Sequence, residues 1–313
     1  MPMGTQPPSQ TLLFLALFAA QALFAGSYVA SKILVEAFPP LVWAAIRCSV
    51  AAGLLMALCA WKRKPIPREP GFLATAFKLS VVGCFLNQAL FLEGIARTTP
   101  AHSAIHATLI PVFTLVLAVV RGDERFTPRA ALSLGLAWAG VWLLVSRGTQ
   151  AGEPTVVGDL LTLLNCVAYA TYLALGRRFV ASHDTLVVTA WIFLFGSLQL
   201  DVAATAQWAR FTPPVWTPTL AWSAAYAIVG ATVVAYLLMN WVLARVPASV
   251  VALSTYVQPV VAAGLGWWFL GDAPDGRMAA ATVCIFVGVL LAARLDAFRR
   301  IKVTLPRGSP QKS

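Results

Sequence analysis

The sequence predicts an all-α integral membrane protein of ten transmembrane helices, folded as two inverted five-helix repeats. Three observations predict it. The chain has too few charges for a water-facing surface, it holds ten apolar runs of spanning length, and an internal repeat divides those runs five and five. Of its 313 residues, 59% are hydrophobic and 11% are charged, and mean hydropathy is +0.77. A soluble domain carries about 25% charged residues, so the solvent for most of this surface is a bilayer. The net charge of +11 does not point to nucleic acid, because the basic residues cluster in short gaps between apolar runs, as they do in membrane loops. Cys48, Cys59, Cys84, Cys166 and Cys284 lie singly inside apolar segments. They read as small buried apolar residues, forming neither a disulfide framework nor a zinc site. The opening stretch, "MPMGTQPPSQ", lacks the basic n-region of a cleaved signal peptide, so the first apolar run is expected to be a retained helix.

A spanning helix needs about 20 apolar residues. Ten candidates fall at roughly 12–35, 41–61, 72–93, 101–120, 129–146, 156–176, 185–206, 219–243, 248–270 and 278–294. The gaps carry breakers and charges: "FPP" at 38–40, "KRKPIPREP" at 62–70, "RGDERFTPR" at 121–129, "RRFVASHD" at 177–184 and "GDAPDGR" at 271–277. The longest gap, near 207–218, contains Trp208 and Trp216, suited to a headgroup-level aromatic belt. With the N-terminus in the cytoplasm, sixteen Lys and Arg residues fall in cytoplasmic loops and the tail. Four (Arg97, Arg147, Arg210 and Arg277) fall outside. That bias puts both termini in the cytoplasm of a multi-pass protein in the plasma or bacterial inner membrane.

The repeat appears when "ARTTPAHSAIHATLIPVF" (96–113) is set against "ARVPASVVALSTYVQPVV" (244–261). At an offset of 148, Ala96-Arg97 meets Ala244-Arg245, Ala104 meets Ala252 and Pro111 meets Pro259. "RGDE" at 121–124 answers "LGDA" at 270–273, and "SYVASKIL" (27–34) answers "TYLALGRR" (171–178) at an offset of 144. Residues 12–146 and 156–294 are therefore read as two copies of one unit, followed by a basic cytoplasmic tail at 295–313. An odd number of spans per copy turns the second copy upside down. That arrangement is typical of secondary transporters with a site near midplane between the repeats.

The order of these motifs resembles the drug/metabolite transporter superfamily, and within it the EamA-type ten-helix transporters. The carriers are "GSYVASKIL" (26–34), Arg47 early in the second helix, "NQALFLEGIARTTPAHSAIHATLIPVFTLVLAVVRGDERFT" (87–127), "GDLLTLLNCVAYATYLALGRR" (158–178) and "LMNWVLARVPASVVALSTYVQPVVAAGLGWWFLGD" (238–272). The resemblance covers residues 12–294. It implies an exporter or exchanger of small metabolites with no ATPase and no cofactor, in which helices three, four, eight and nine, with one and six, line a central cavity. The chain departs from the family's frequent "GE" loop motif with "GDE" at 122–124 and "GDA" at 271–273. "NQALFLEGI" is also similar to plant relatives that move amino acids or auxin-like compounds.

Polar residues that persist inside spans usually face the bundle interior or a wet cavity, because an unpaired polar group in hydrocarbon is costly. Asn87, Gln88 and Glu93 on helix three read either as interhelical packing glue or as pathway lining. Gln88 aligns with Tyr236 in the second copy, with Asn240 one turn further on. Tyr169 on helix six, and Thr255 and Gln258 in the second helix-four motif, complete the candidate substrate-binding set. Arg47 reads as paired with Glu36 or Asp201, or as holding an anionic substrate group. Arg47 and Glu93 are candidates for a charge or proton role. Pro111 and Pro259 each free a carbonyl one turn upstream, which makes them candidate helix breaks or gates. His102 and His106, four apart, share a helical face. Too few ligands accompany them for a metal site. His102 reads as solvated, and His106 as a cavity residue able to carry a coupled proton.

The resulting expectation is a secondary active transporter of small metabolites such as amino acids, not an enzyme. Its partners are a small-molecule substrate, a coupled proton or counter-substrate, and the lipid bilayer. The alternatives are a membrane-embedded enzyme, for which no HExxH or GxSxG motif is present, and a non-transporting scaffold or receptor. Single cysteines added at Ser9 and Ser309, in a variant otherwise free of cysteine, should both resist an impermeant maleimide in right-side-out cells and react after permeabilisation. Labelling of either one in intact cells places that terminus outside.

Overall fold

The computed structural model describes residues 8–98, 103, 106–122, 126–145 and 156–259, with the single positions 261, 280, 283, 284 and 287. The described residues are helical with no strand. In chain order the helices longer than one turn are α1 (Gln10–Ala37), α2 (Pro40–Trp61), α3 (Phe72–Ile95), α4 (Ile110–Val120), α5 (Pro128–Val145), α6 (Val156–Ser182), α7 (Thr185–Ala203), α8 (Pro218–Leu243) and α9 (Ala248–Leu253). Six of them (α1, α2, α3, α6, α7 and α8) are long and apolar enough to cross a membrane, so the protein is a multi-pass membrane protein. All of the apolar run expected at 278–294 except residues 280, 283, 284 and 287, together with the tail at 295–313 and His102, lies outside the described residues.

The helix starts are legible as local chemistry. Ser9 caps α1 by accepting from the Leu12 N–H, and Thr217 caps α8 by accepting from Leu220. Asp184 caps α7 by accepting from Leu186 and Val187. Each satisfies backbone donors that a first helical turn leaves orphaned. Pro40 and Pro218 take first-turn positions, where a missing N–H costs nothing. One boundary differs from the sequence expectation. Residues 177–182 belong to α6 rather than to a loop. The charged "RR" does not end the helix because a helix can run on into the aqueous layer. Only the Asp184 cap of the next helix stops it, and the Arg177 Nε–H donates to the Val246 carbonyl at 2.9 Å.

Packing follows a simple exchange rule. α2 packs along α7, and α4 packs along α9. α1 packs on α8 as α3 packs on α6, and α4 meets α6 as the turn after α9 meets α1. Exchanging α1 to α3 with α6 to α8, and α4 with α9, maps these contacts onto themselves. Backbone irregularities repeat in the same way. α3 opens into a π-helical turn at Val81–Phe85, and α8 does so at Tyr226–Val234. Adding 148 to the first range lands inside the second. In the first half the chain turns at residues 108–109 just before α4, the Leu109 N–H donating to the His106 carbonyl at 2.9 Å. In the second, α9 tightens into a 3₁₀ turn at Ser254–Tyr256. Pro111 and Pro259 follow these turns, and both are buried. π-turns and mid-helix 3₁₀ turns are local strains that recur at functional positions.

Small residues set the helix spacing. A Cβ on Gly196 of α7 would overlap the Cys84 side chain of α3, and one on Gly83 would overlap the Tyr172 ring of α6. Close approach through glycine is how helices associate where lipid supplies no hydrophobic drive. Gly196→Val should lower the detergent-solubilised melting temperature by an amount equivalent to about 1–3 kcal/mol of overpacking, measured by fluorescence-detected unfolding. Gly53→Val, where a Cβ meets nothing within 4 Å, should leave it within error.

Candidate functional site

The π-turn of α8 has a direct chemical consequence. The Thr232 hydroxyl donates to the Ala227 carbonyl five residues back, at 2.7 Å, a partner that an ordinary helical turn would not present. The hydroxyl oxygen then accepts from the Arg47 Nε–H at 2.5 Å. Arg47, on α2, is 2% exposed. Its expected carboxylate partners are elsewhere: Asp201 accepts from Ser49 at 3.2 Å, and no ion pair to Arg47 is found among the described residues. Ser49 lies two residues beyond Arg47, near the opposite side of a helix, so Asp201 on α7 is reached from the wrong face.

Beside Arg47, α3 and α8 meet through side chains 148 and 149 residues apart. The Gln88 Nε2–H donates to the Tyr236 hydroxyl at 2.9 Å and to Asn87 Oδ1 at 3.1 Å, and Tyr236 donates to Asn87 Oδ1 at 2.7 Å. Asn165 of α6 donates to the Asn87 carbonyl at 2.7 Å. A second chain runs from Tyr28 to Gln258 Oε1 at 3.0 Å, from the Gln258 amide to Gln21 at 2.6 Å, and from the Gln21 amide to Ser254 at 2.7 Å. Between the two networks lies a cavity of about 70 Å³. Residues 24 to 110 of the first half line one side, among them Tyr28, Arg47 and Gln88. Asn165, Tyr169, Tyr236 and Gln258 of the second half line the other. The cavity exceeds the roughly 10–15 Å³ that one water needs. It is well short of the roughly 300–1,000 Å³ of sites that enclose drug-sized ligands.

Of the residues singled out in the sequence, Asn87, Gln88, Tyr169, Tyr236 and Gln258 line this cavity together with Arg47. Asn240 lies apart, accepting from Tyr172 at 2.6 Å and donating to Thr189 at 2.9 Å. The Thr255 hydroxyl folds back onto the Ala252 carbonyl at 2.7 Å. His106 bonds through Nδ1 to Thr162 at 2.7 Å, while its neighbours Ala107 and Ile110 line the cavity. Glu93 is tied to Arg97 and to Gln207, the latter at 2.7 Å. Sequence reasoning missed Gln21, Phe24, Ser27, Tyr28, Phe91 and Asn165. A signal for two of them existed, since the offset of 144 that pairs Tyr28 with Tyr172 also pairs Gln21 with Asn165.

Polar bonds between the halves occur at both ends of the bundle. At the end where α3 finishes, Gln207 bridges Glu93 and the Leu41 N–H, and Thr98 donates to Asp159 at 2.7 Å. Lys32 reaches the Ile95 and Thr98 carbonyls there. At the other end Lys64 pairs with Asp184 at 2.7 Å and His183 with Glu69 at 3.1 Å. The hydrogen bond to Asp184 raises the Lys64 ammonium above its ordinary pKa.

A polar cavity held between two like halves of a membrane-spanning helical bundle is the architecture of a membrane transporter. The chain belongs to the EamA-like transporter family, whose model matches residues 11–146 and again residues 156–294. It is 29% identical to an uncharacterized transporter of Archaeoglobus fulgidus over 90% of this chain and 97% of that one. It is 26% identical to the S-adenosylmethionine/S-adenosylhomocysteine transporter of Chlamydia trachomatis over 85% of this chain and 84% of that one. A solved structure described only as "Crystal structure of protein" superposes with a TM-score of 0.75 at 22% identity, covering 93% of this chain and 99% of the other. That likeness carries the fold.

Tyr236→Phe removes a donor from Asn87 and an acceptor from Gln88, both buried. The variant should unfold at lower temperature, by the equivalent of about 1–3 kcal/mol. Gln207→Ala, at the half-exposed end, should cost less than half as much in the same assay.

Proposed function

We propose that the protein is a secondary active transporter that exports or exchanges small metabolites, amino acids or related compounds, by alternating access between two inverted repeats. The observation that carries this reading is the cavity itself. It is lined from both halves, and its lining residues carry three of the nine buried side-chain polar atoms without a partner among the described residues: Gln88 Oε1, Tyr169 Oη and Arg47 Nη1. A bundle built only to be stable would pair such groups or replace them. The symmetric irregularities support the same reading, since broken helices at a repeat interface both offer backbone carbonyls and act as hinges.

In this mechanism the Gln207–Glu93–Arg97 contacts form one latch and the Lys64–Asp184 and His183–Glu69 pairs form the other. The lysine and arginine bias puts the second latch, and both termini, on the cytoplasmic side. A shallow depression of about 460 Å³ between Glu36, Phe38 and Arg97 then lies outside the first latch as its vestibule. Opening one latch while the other holds exposes the cavity to one side at a time. The substrate class rests on the amide- and hydroxyl-rich lining. It fits the Chlamydia relative, whose named substrates are themselves amino-acid derivatives.

Proteoliposomes preloaded with unlabelled amino acids, purines or cationic drugs in turn should show counterflow of at least one class. Gln88→Ala should reduce that flux at least tenfold while folded yield is kept. Absence of counterflow across all three classes, with the protein folded and inserted, overturns the reading.

A further inference from the structure

Among the described residues Arg47 is the one cation that lines the cavity, and its guanidinium is mostly unused. An arginine presents five N–H donors in a planar fork matched to a carboxylate. Here only Nε bonds to protein, to Thr232, and Nη1 is buried without a partner. No carboxylate pairs with it and no ring stacks on it among the described residues; the one cation–π contact found is Arg245 over Trp241. A buried charge without a counter-ion is strongly unfavourable, and inside a membrane such a charge marks a pathway or a ligand. The feature is also one-sided. Neither repeat offset places a second cation on α7, since 144 leads from Arg47 to Trp191 and 148 leads to Phe195. The α8 π-turn aims Thr232 at Nε alone, which fixes the plane of the fork and leaves its terminal edge free.

The rest of the lining has a different character. Gln88 Oε1 and Tyr169 Oη are buried and unpaired, so the cavity offers an acceptor and a hydroxyl as well as a cation. Phe24, Tyr28, Phe91 and Tyr236 supply ring surface, with Phe24 edge-on to Tyr236 at 5.3 Å and Tyr28 edge-on to Phe91 at 5.6 Å. A complementary ligand carries one carboxylate, an apolar body and a donor group.

We propose that Arg47 is the anion receptor of the cavity and that the substrates of this transporter are carboxylates, docked on its free terminal nitrogens. The proposal rests on the transporter reading above and narrows its substrate class. In it, Arg47 selects the carboxylate, Thr232 is a positioning residue that orients the fork, and Gln88 and Tyr169 receive the rest of the molecule.

The test uses the purified full chain and three matched pairs of probes at equal ionic strength: benzoate and benzamide, succinate and succinamide, and phenylalanine and phenethylamine. At least one carboxylate should raise the melting temperature more than its partner and more than sodium chloride does. Arg47→Met should abolish that excess. Arg47→Lys, which keeps the charge without the fork, should bind the same carboxylate about tenfold more weakly, and it decides the matter if Arg47→Met does not fold. Thr232→Val should weaken binding while preserving the preference for the carboxylate. An excess that survives both Arg47 variants, or shifts no larger than those from chloride, overturns the proposal. Counterflow of the same six compounds separates the two claims. Flux of amides or amine without flux of carboxylates removes the anion assignment and leaves the transporter. Carboxylate-specific binding without flux of any compound removes the transporter and leaves the anion site.

Discussion

Hydrocarbon offers no hydrogen bonds, and everything polar inside this bundle answers to that fact. Backbone donors and acceptors are absorbed by helices. Side-chain amides and hydroxyls are absorbed by one another across helix interfaces, in the Asn87–Gln88–Tyr236 cluster and in the run from Tyr28 through Gln258 and Gln21 to Ser254. Where the absorption is complete, as at Asn240 between Tyr172 and Thr189, the polar group acts as a fastener. Where it is incomplete, leftover groups remain, and those of Arg47, Gln88 and Tyr169 belong to residues that line one cavity. Asn240 and Gln88 look alike in the sequence, and only their satisfaction separates them.

The π-turns connect backbone to chemistry. Each shifts the register of its helix by a fraction of a turn, so that residues beyond it face a different neighbour. In α3 the residues so shifted are Asn87 and Gln88. In α8 the turn itself presents Thr232 to Arg47, and Tyr236 follows one turn later. The proline-linked breaks do the same for the fourth and ninth helices, where Ala107, Ile110 and Gln258 reach the cavity. Among the described residues, irregular backbone thus lies within a few residues of side chains that line the cavity.

Twofold packing explains why contacts join residues so far apart in the chain. Positions equivalent under an internal twofold come together only if they lie near its axis, and Gln88 and Tyr236 are equivalent positions that touch. The lining breaks the symmetry through its side chains. Gln88 faces a tyrosine rather than a second glutamine, and Arg47 has no cationic counterpart.

The sequence by itself determined the membrane class, the places where most helices begin, the duplicated plan and the family, because these depend on local composition, capping residues and motif order. It also pointed to Gln88, Tyr236, Tyr169 and Gln258, since polar residues within apolar spans are conspicuous. It could not separate Asn240 and Thr255 from them, nor give Arg47 its neighbour. Those outcomes depend on which face of a helix meets which partner, and the π-turns shift that face by an amount that no periodicity reveals. Tertiary structure alone decided which polar groups are satisfied, because a hydrogen bond across 148 residues is a fact about two helices meeting rather than about either one.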